Sequence, residues 1–112
     1  MPDVSTRAPL TLRMHANDNV AIVANDGGLP EGTRLPDGVP GAGLVLRDKV
    51  PQGHKVALAD IPEGGVVLRY NVPIGYAAKP ISAGMFLSRA LSRLPSRLSR
   101  MYFKMARSSA SP

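Results

Sequence analysis

The sequence predicts an all-β protein, a small domain built from short strands. Eleven glycines and eleven prolines, nearly all before residue 85, divide the chain into apolar runs that are too short for ordinary helices. These runs are rich in Val and Ile, which favour strands, and each is bounded by turn residues. With 112 residues the chain has room for one such domain.

Seven apolar runs are the predicted strands, each short and each ending at Gly, Pro, Asn or Asp or within a few residues of one. In chain order they cover residues 10–14, 20–24, 44–47, 55–58, 66–70, 74–78 and 85–87.

The predicted turns share a phrase in which an apolar residue is followed by Pro, any residue and Gly. Proline presets φ near −65° at the second turn position, and glycine tolerates the positive φ that often follows. Each phrase is therefore expected to reverse the chain and to point its first residue into the core. The phrase occurs at residues 29–32, 35–38, 50–53 and 61–64, with a degenerate copy at 81–84.

Charge divides the chain into two segments. Residues 1–85 hold eight cations and eight anions, so the whole net charge of +6 lies in residues 86–112. There, Arg, Lys and Leu recur at helical spacing, Pro95 interrupts the pattern, and the end is rich in serine. We therefore predict an N-terminal extension (1–12), a β domain (13–86) and a basic tail (87–112) that is partly helical or disordered.

The composition also excludes several classes of protein. Without cysteine the chain has no disulfide framework, thiolate metal site or cysteine nucleophile. Because the predicted domain is neutral and poor in aromatic residues, we expect no nucleic-acid partner, and membrane binding by the tail is disfavoured. No run of about 18 apolar residues and no signal-like apolar stretch in residues 1–12 is present, so the expected location is cytoplasmic.

Two histidines are the natural candidates for proton transfer, because only their unperturbed pKa lies near neutrality. His54 follows Gly53 at the start of a predicted strand, and His15 precedes a polar turn. Either ring could instead make a structural hydrogen bond. Lys55 and Arg69 are candidates for binding a substrate carboxylate, although a solvated face is the simpler interpretation. With two histidines, a complete metal site within this chain is not expected, and His54 is the candidate for a single metal ligand.

Several stretches in order resemble the N-terminal SAF domain of the galactarate/altronate dehydratase family, and galactarate dehydratases most. The family stretches are MHANDNVA at 14–21, PQGHKVAL at 51–58, DIP at 60–62, RY at 69–70 and IGYA at 74–77. The closer resemblance to galactarate dehydratases comes from NDGGL at 25–29, GTR at 32–34 and PDG at 36–38. The resemblance implies a β-clip fold, a role in dehydrating sugar acids, and a divalent metal such as iron.

Members of that family continue into a much larger catalytic domain, whereas this chain turns into the basic tail. The resemblance therefore implies an accessory part of a hydro-lyase, which contributes His54 and His15 to a composite active site with a larger catalytic subunit and is inactive alone. Two alternatives stay open. The chain is the small subunit of a split enzyme resembling a sulfolactate sulfo-lyase, or it is a truncated or frame-shifted product that acts as a noncatalytic carbohydrate-acid-binding or interaction module.

Overall fold

The computed structural model describes residues 8–93, and these residues form an all-β structure, as predicted. Two three-stranded antiparallel sheets account for the strands of this part of the chain. The first sheet holds β1 (Thr11–Leu12), β2 (Val20–Val23) and β3 (Lys55–Ala57). The second holds β4 (Val66–Arg69), β5 (Val72–Ala77) and β6 (Leu91–Arg93), with a short 3-10 helix at Leu87–Arg89.

The first sheet has the order β1-β2-β3, so β2 is its central strand. In the β2–β3 ladder, Val20 lies opposite Ala57 and Ile22 lies opposite Lys55. The edge strand β1 is fixed from its inner face, because the buried Thr11 hydroxyl donates a 2.6 Å hydrogen bond to the carbonyl of Pro40.

The second sheet has the order β4-β5-β6 and begins with a tight hairpin. Tyr70 and Asn71 form its tip with φ of +61° and +60°, the left-handed pair that two-residue hairpin turns require. The ladder shifts register between Val67 and Leu68, whose partners are Gly75 and Pro73, so the extra residue of the bulge is Ile74 in β5.

The core consists of two apolar clusters with β2 and β3 between them. Strand side chains alternate between faces, so neighbouring residues of one strand enter different clusters. Cluster one contains Val20, Ala57, Ile61, Val67, Ala77, Ile81, Leu87 and Ala90. Cluster two contains Ala21, Val23, Leu29, Leu35, Leu46, Val50 and Val56.

The recurring Pro-x-Gly phrase forms turns, as predicted. Its glycines adopt positive φ at every copy, including the degenerate one, with values of +86°, +89°, +79°, +81° and +91°. The apolar residue that opens each copy is buried, which confirms that these residues point into the core. The glycines are Gly32, Gly38, Gly53, Gly64 and Gly84.

Two predicted elements differ in the structure. Residues 44–47 form no strand, because their pairing with the Arg34 segment is limited to one isolated bridge at Val45. Residues 85–87 make one bridge, between Phe86 and Val56, and continue into the 3-10 helix. In both places the chain turns away before a second pair forms.

Residues 91–93 also differ from the prediction, since the sequence indicates a helix there and the structure contains β6. The reason is tertiary: β5 offers an edge with which these residues pair, and the spacing of Leu and Arg carries no information about that edge. The rest of the predicted tail, residues 94–112, and residues 1–7 lie outside the described residues. Within residues 8–93, no helix is long and apolar enough to cross a membrane.

Candidate functional site

Backbone hydrogen bonds to Val23 of β2 fix the position of His54. Gly53 donates to the carbonyl of Val23 at 2.8 Å, and Val23 donates to the carbonyl of His54 at 2.9 Å. The exposed ring packs edge-on against Phe86, with the ring centroids 5.6 Å apart. Its position is therefore set by β2 on one side and by the segment before the 3-10 helix on the other.

The hydrogen bond of the His54 ring determines which ring nitrogen has a free lone pair in the neutral form. Nδ1 lies 3.1 Å from the carbonyl oxygen of Gln52, and a carbonyl only accepts, so Nδ1 carries the proton in this bond. In the neutral ring Nε2 is then the atom with a lone pair. It is available to accept a proton or to bind a metal ion.

His15 shows the opposite arrangement. Its Nδ1 accepts a 3.0 Å hydrogen bond from the backbone N–H of Asn17, so the neutral ring carries its proton on Nε2. His15 is exposed, and its carbonyl accepts from the N–H of Asp18 in a tight turn. The neutral His15 ring thus presents a donor to solvent, whereas the neutral His54 ring presents an acceptor.

The residues after His15 fasten its loop to the second sheet. The carboxylate of Asp18, which is 4% exposed, accepts from the backbone N–H groups of Tyr70 and Asn71 at 2.8 and 2.7 Å. Asn19 binds β4 through its side-chain oxygen and nitrogen, at Leu68 N and Val66 O. These polar residues are structural, and they place His15 beside the hairpin tip that follows Arg69.

Lys55 lies close to two other cations. Burial lowers the pKa of Lys55, and the positive charges of Arg69 and Arg93 lower it further. Within residues 8–93 the one ion pair, Arg89–Asp48, involves none of these three residues. We refer to Lys55, Arg69 and Arg93 as the cation cluster.

The structure brings together only some of the predicted site residues. Lys55 and Ala57 share one face of β3, and Ala57 is in cluster one. His54 lies on the opposite face with Val56, whose bridge partner Phe86 packs against cluster two. Lys55 and Arg69 are thus neighbours in the cation cluster, while His54 faces away from them, and His15 lies towards the Val20 end of β2, away from the Val23 end that holds His54.

The described residues fit only one position of a metal site. His54 offers Nε2 as a ligand, but within residues 8–93 no three His, Cys, Asp or Glu side chains are grouped so that they could hold a metal ion. The predicted divalent metal stays a prediction that depends on ligands from elsewhere.

Two features of the site could not be recognised from the sequence. Arg93 joins the cation cluster only because β6 pairs with β5. Asp48 fixes the segment of Phe86 by accepting 2.9 Å from its backbone N–H and 2.7 Å from the Arg89 guanidinium. Both contacts are long-range, and no local pattern signals them.

Comparison with known proteins finds similarity over almost the whole described region. The family described as the altronate/galactarate dehydratase SAF domain matches residues 9–93. The chain is 48% identical over 84 residues to a galactarate dehydratase (L-threo-forming) of Escherichia coli (strain K12), which covers 75% of this chain and 15% of that protein.

Two altronate dehydratases show weaker similarity. One from Escherichia coli (strain K12) is 45% identical over 74 residues, covering 66% of this chain and 14% of the relative. One from Bacillus subtilis (strain 168) is 34% identical over 73 residues, covering 65% and 14%. The chain therefore spans a small part of the length of each of these relatives.

Proposed function

Since the chain belongs to the SAF domain family of altronate and galactarate dehydratases, we propose that it is the SAF component of a sugar-acid hydro-lyase whose active site is completed by a larger catalytic chain. The observation that carries the proposal is the 48% identity to a galactarate dehydratase, which is confined to 15% of that enzyme. Because the matching segment is a small part of that enzyme, the similarity supports a role as one component of a site that another chain completes.

The chemistry of dehydration assigns roles to the described residues. A base removes the proton from the carbon beside the carboxylate, hydroxide leaves from the next carbon, and the enol product becomes a 2-keto acid. His54 is suited to the base role because its Nε2 has a free lone pair in the neutral ring. His15 presents N–H from its neutral ring, which suits donation to a leaving oxygen. Because the two rings lie at opposite ends of β2, His15 is an alternative to His54 for proton transfer and not its partner on the same substrate.

Dehydration also requires positive charge that stabilises the substrate carboxylate. Charge builds up on the substrate carboxylate as the proton leaves, and nearby guanidinium and ammonium groups stabilise it. Lys55 and Arg69 are the candidates on this chain. Because His54 lies on the other face of β3, the larger chain has to bring the substrate to one of these faces and supply the missing partner.

A divalent metal such as iron is part of the proposal only through the larger chain. As an alternative to the base role, His54 Nε2 would be the one ligand from the described residues, because a single lone pair serves either a proton or a metal ion. The catalytic chain would supply the remaining ligands. When bound, the metal would supply a Lewis acid for the departing hydroxyl group.

A noncatalytic role is the second candidate, and the cation cluster favours it. Positively charged side chains without ion-pair partners in the described chain suit binding of a sugar acid even where no proton transfer follows. The two functions differ in whether this chain restores turnover to a catalytic partner.

The test is complementation. The galactarate dehydratase of Escherichia coli is produced without the segment that matches residues 9–93, mixed with this chain and ferrous iron, and assayed for 2-keto acid formed from galactarate. We expect turnover only when both chains are present. Turnover by this chain alone contradicts the accessory role, and no turnover by the mixture favours the noncatalytic function.

Substitutions in the mixture then test the residue roles. His54→Gln is expected to reduce kcat by about a hundredfold or more, the usual effect of losing a general acid or base. Lys79→Gln, which changes an exposed side chain after β5, is the matched control. Equal rates for the two variants would remove His54 from the proposed site.

A further inference from the structure

We propose that Arg93 completes an anion-binding site with Lys55 and Arg69, and that the ligand of this site is a small molecule bearing a carboxylate. The choice of carboxylate rests on the proposed function. The site itself rests on the positions of three strands from two sheets.

Strand alternation places two of the cations on the margin of cluster one. Lys55 shares a face of β3 with Ala57, a member of that cluster. Arg93 shares a face of β6 with Leu91, which packs against the same cluster. The two cations therefore approach from facing sheets at one border of the core.

Arg69 completes the group from the end of β4. The strand is fastened to the first sheet by the Asn19 side chain, which accepts from Leu68 N and donates to Val66 O, both at 2.9 Å. This double hydrogen bond keeps β4 next to the start of β2, the strand that pairs with β3. Arg69 is thereby held near Lys55 by the fold and not by attraction between side chains.

A glycine lets Arg93 come close. A Cβ on Gly75 would overlap the carbonyl oxygen of Ser92 and lie 3.1 Å from the Cα of Arg93. Any larger residue at this position would push β6 outward. The second sheet is thus built so that Arg93 lies directly against β5.

The electrostatics favour an anion at this place. The positive charges of Arg69 and Arg93 both act on Lys55, and no carboxylate within residues 8–93 forms an ion pair with any of the three. The pKa of Lys55 is lowered by burial and by the two guanidinium groups, as expected where positive charge is concentrated. A carboxylate would relieve the repulsion and accept paired hydrogen bonds from a guanidinium fork.

The test is direct binding to the full chain, measured by calorimetric titration at physiological salt. Galactarate is the probe, and galactitol, which keeps the four inner hydroxyl groups and has CH2OH in place of each carboxylate, is the uncharged control. We expect saturable binding of galactarate and none of galactitol. Arg93→Gln should weaken binding roughly tenfold, and Arg93→Lys should retain more of it than Arg93→Gln.

Arg34→Gln is the matched control, since it removes one exposed positive charge from a loop beside cluster two. Thermal unfolding of each variant checks that it is folded. Equal weakening by Arg34→Gln and Arg93→Gln, or no binding of galactarate, overturns the proposed site. The measurement needs no larger chain, so failed complementation with successful binding refutes the hydro-lyase role alone, and the reverse result refutes this site alone.

Discussion

Asp18 offers the sharpest test of how this domain is held together. Its buried carboxylate accepts the backbone N–H groups of Tyr70 and Asn71 at 2.8 and 2.7 Å, and these groups belong to the strained hairpin tip. Each hydrogen bond to a charged group contributes about 1.5–3 kcal/mol to stability. In Asp18→Asn one oxygen remains, and the amide nitrogen faces a second donor, so one of the two bonds is lost.

We therefore expect Asp18→Asn to lower the free energy of unfolding by about 2 kcal/mol. Urea denaturation followed by circular dichroism measures it, and with a slope near 1 kcal/mol per molar urea the midpoint should fall by about 2 M. Amide exchange at Tyr70 and Asn71 should also become faster.

The matched control is Asp37→Asn, which makes the same chemical change on an exposed turn and should alter stability by less than about 0.5 kcal/mol. Equal midpoints for the two variants would refute the structural role that we assign to Asp18.

Two further predictions concern the second sheet and Lys55. Gly75→Ala should lower the free energy of unfolding by about 2 kcal/mol and increase amide exchange in β6, because the added Cβ overlaps the Ser92 carbonyl oxygen. A urea midpoint equal to that of the wild type would contradict the packing of β6 against β5. The pKa of Lys55 is lowered in the folded state from its usual 10.5, so the unfolded chain binds more protons between the two values and stability should rise with pH across that interval. Urea midpoints measured from neutral pH to pH 10.5 should show this rise in the wild type and in the control Lys79→Met, but a smaller rise in Lys55→Met; an undiminished rise in Lys55→Met would count against a lowered pKa.

Local chemistry explains why much of the fold could be predicted from the sequence. Proline fixes its own φ and glycine tolerates positive φ, so the turns at Gly32 and Gly53 follow from two residues each. Val-rich runs such as 20–23 and 66–69 have no competing helical pattern. Where the outcome depends on a distant partner, as for β6, the local pattern of Leu and Arg indicates the wrong structure.

The candidate site was less accessible to prediction for the same reason. Residue type and pKa selected His15 and His54, but the opposite proton positions of their rings depend on hydrogen bonds to backbone groups. Lys55 and Arg69 were selected separately, and their proximity results from the way Asn19 joins the two sheets. The role of each site residue stays a prediction until the binding and complementation experiments are made.

The position of β2 and β3 between the two apolar clusters has a consequence for cooperativity. Val20 and Ala57 stabilise one side of these strands, while Ala21 and Val56 stabilise the other. If one cluster unfolds, the other loses the packing that these strands provide, so we expect the described domain to unfold in a single transition. A substitution in β2 or β3 is therefore expected to alter the packing on both faces of the first sheet. It would affect the position of the His54 imidazole on one face and of the Lys55 ammonium group on the other.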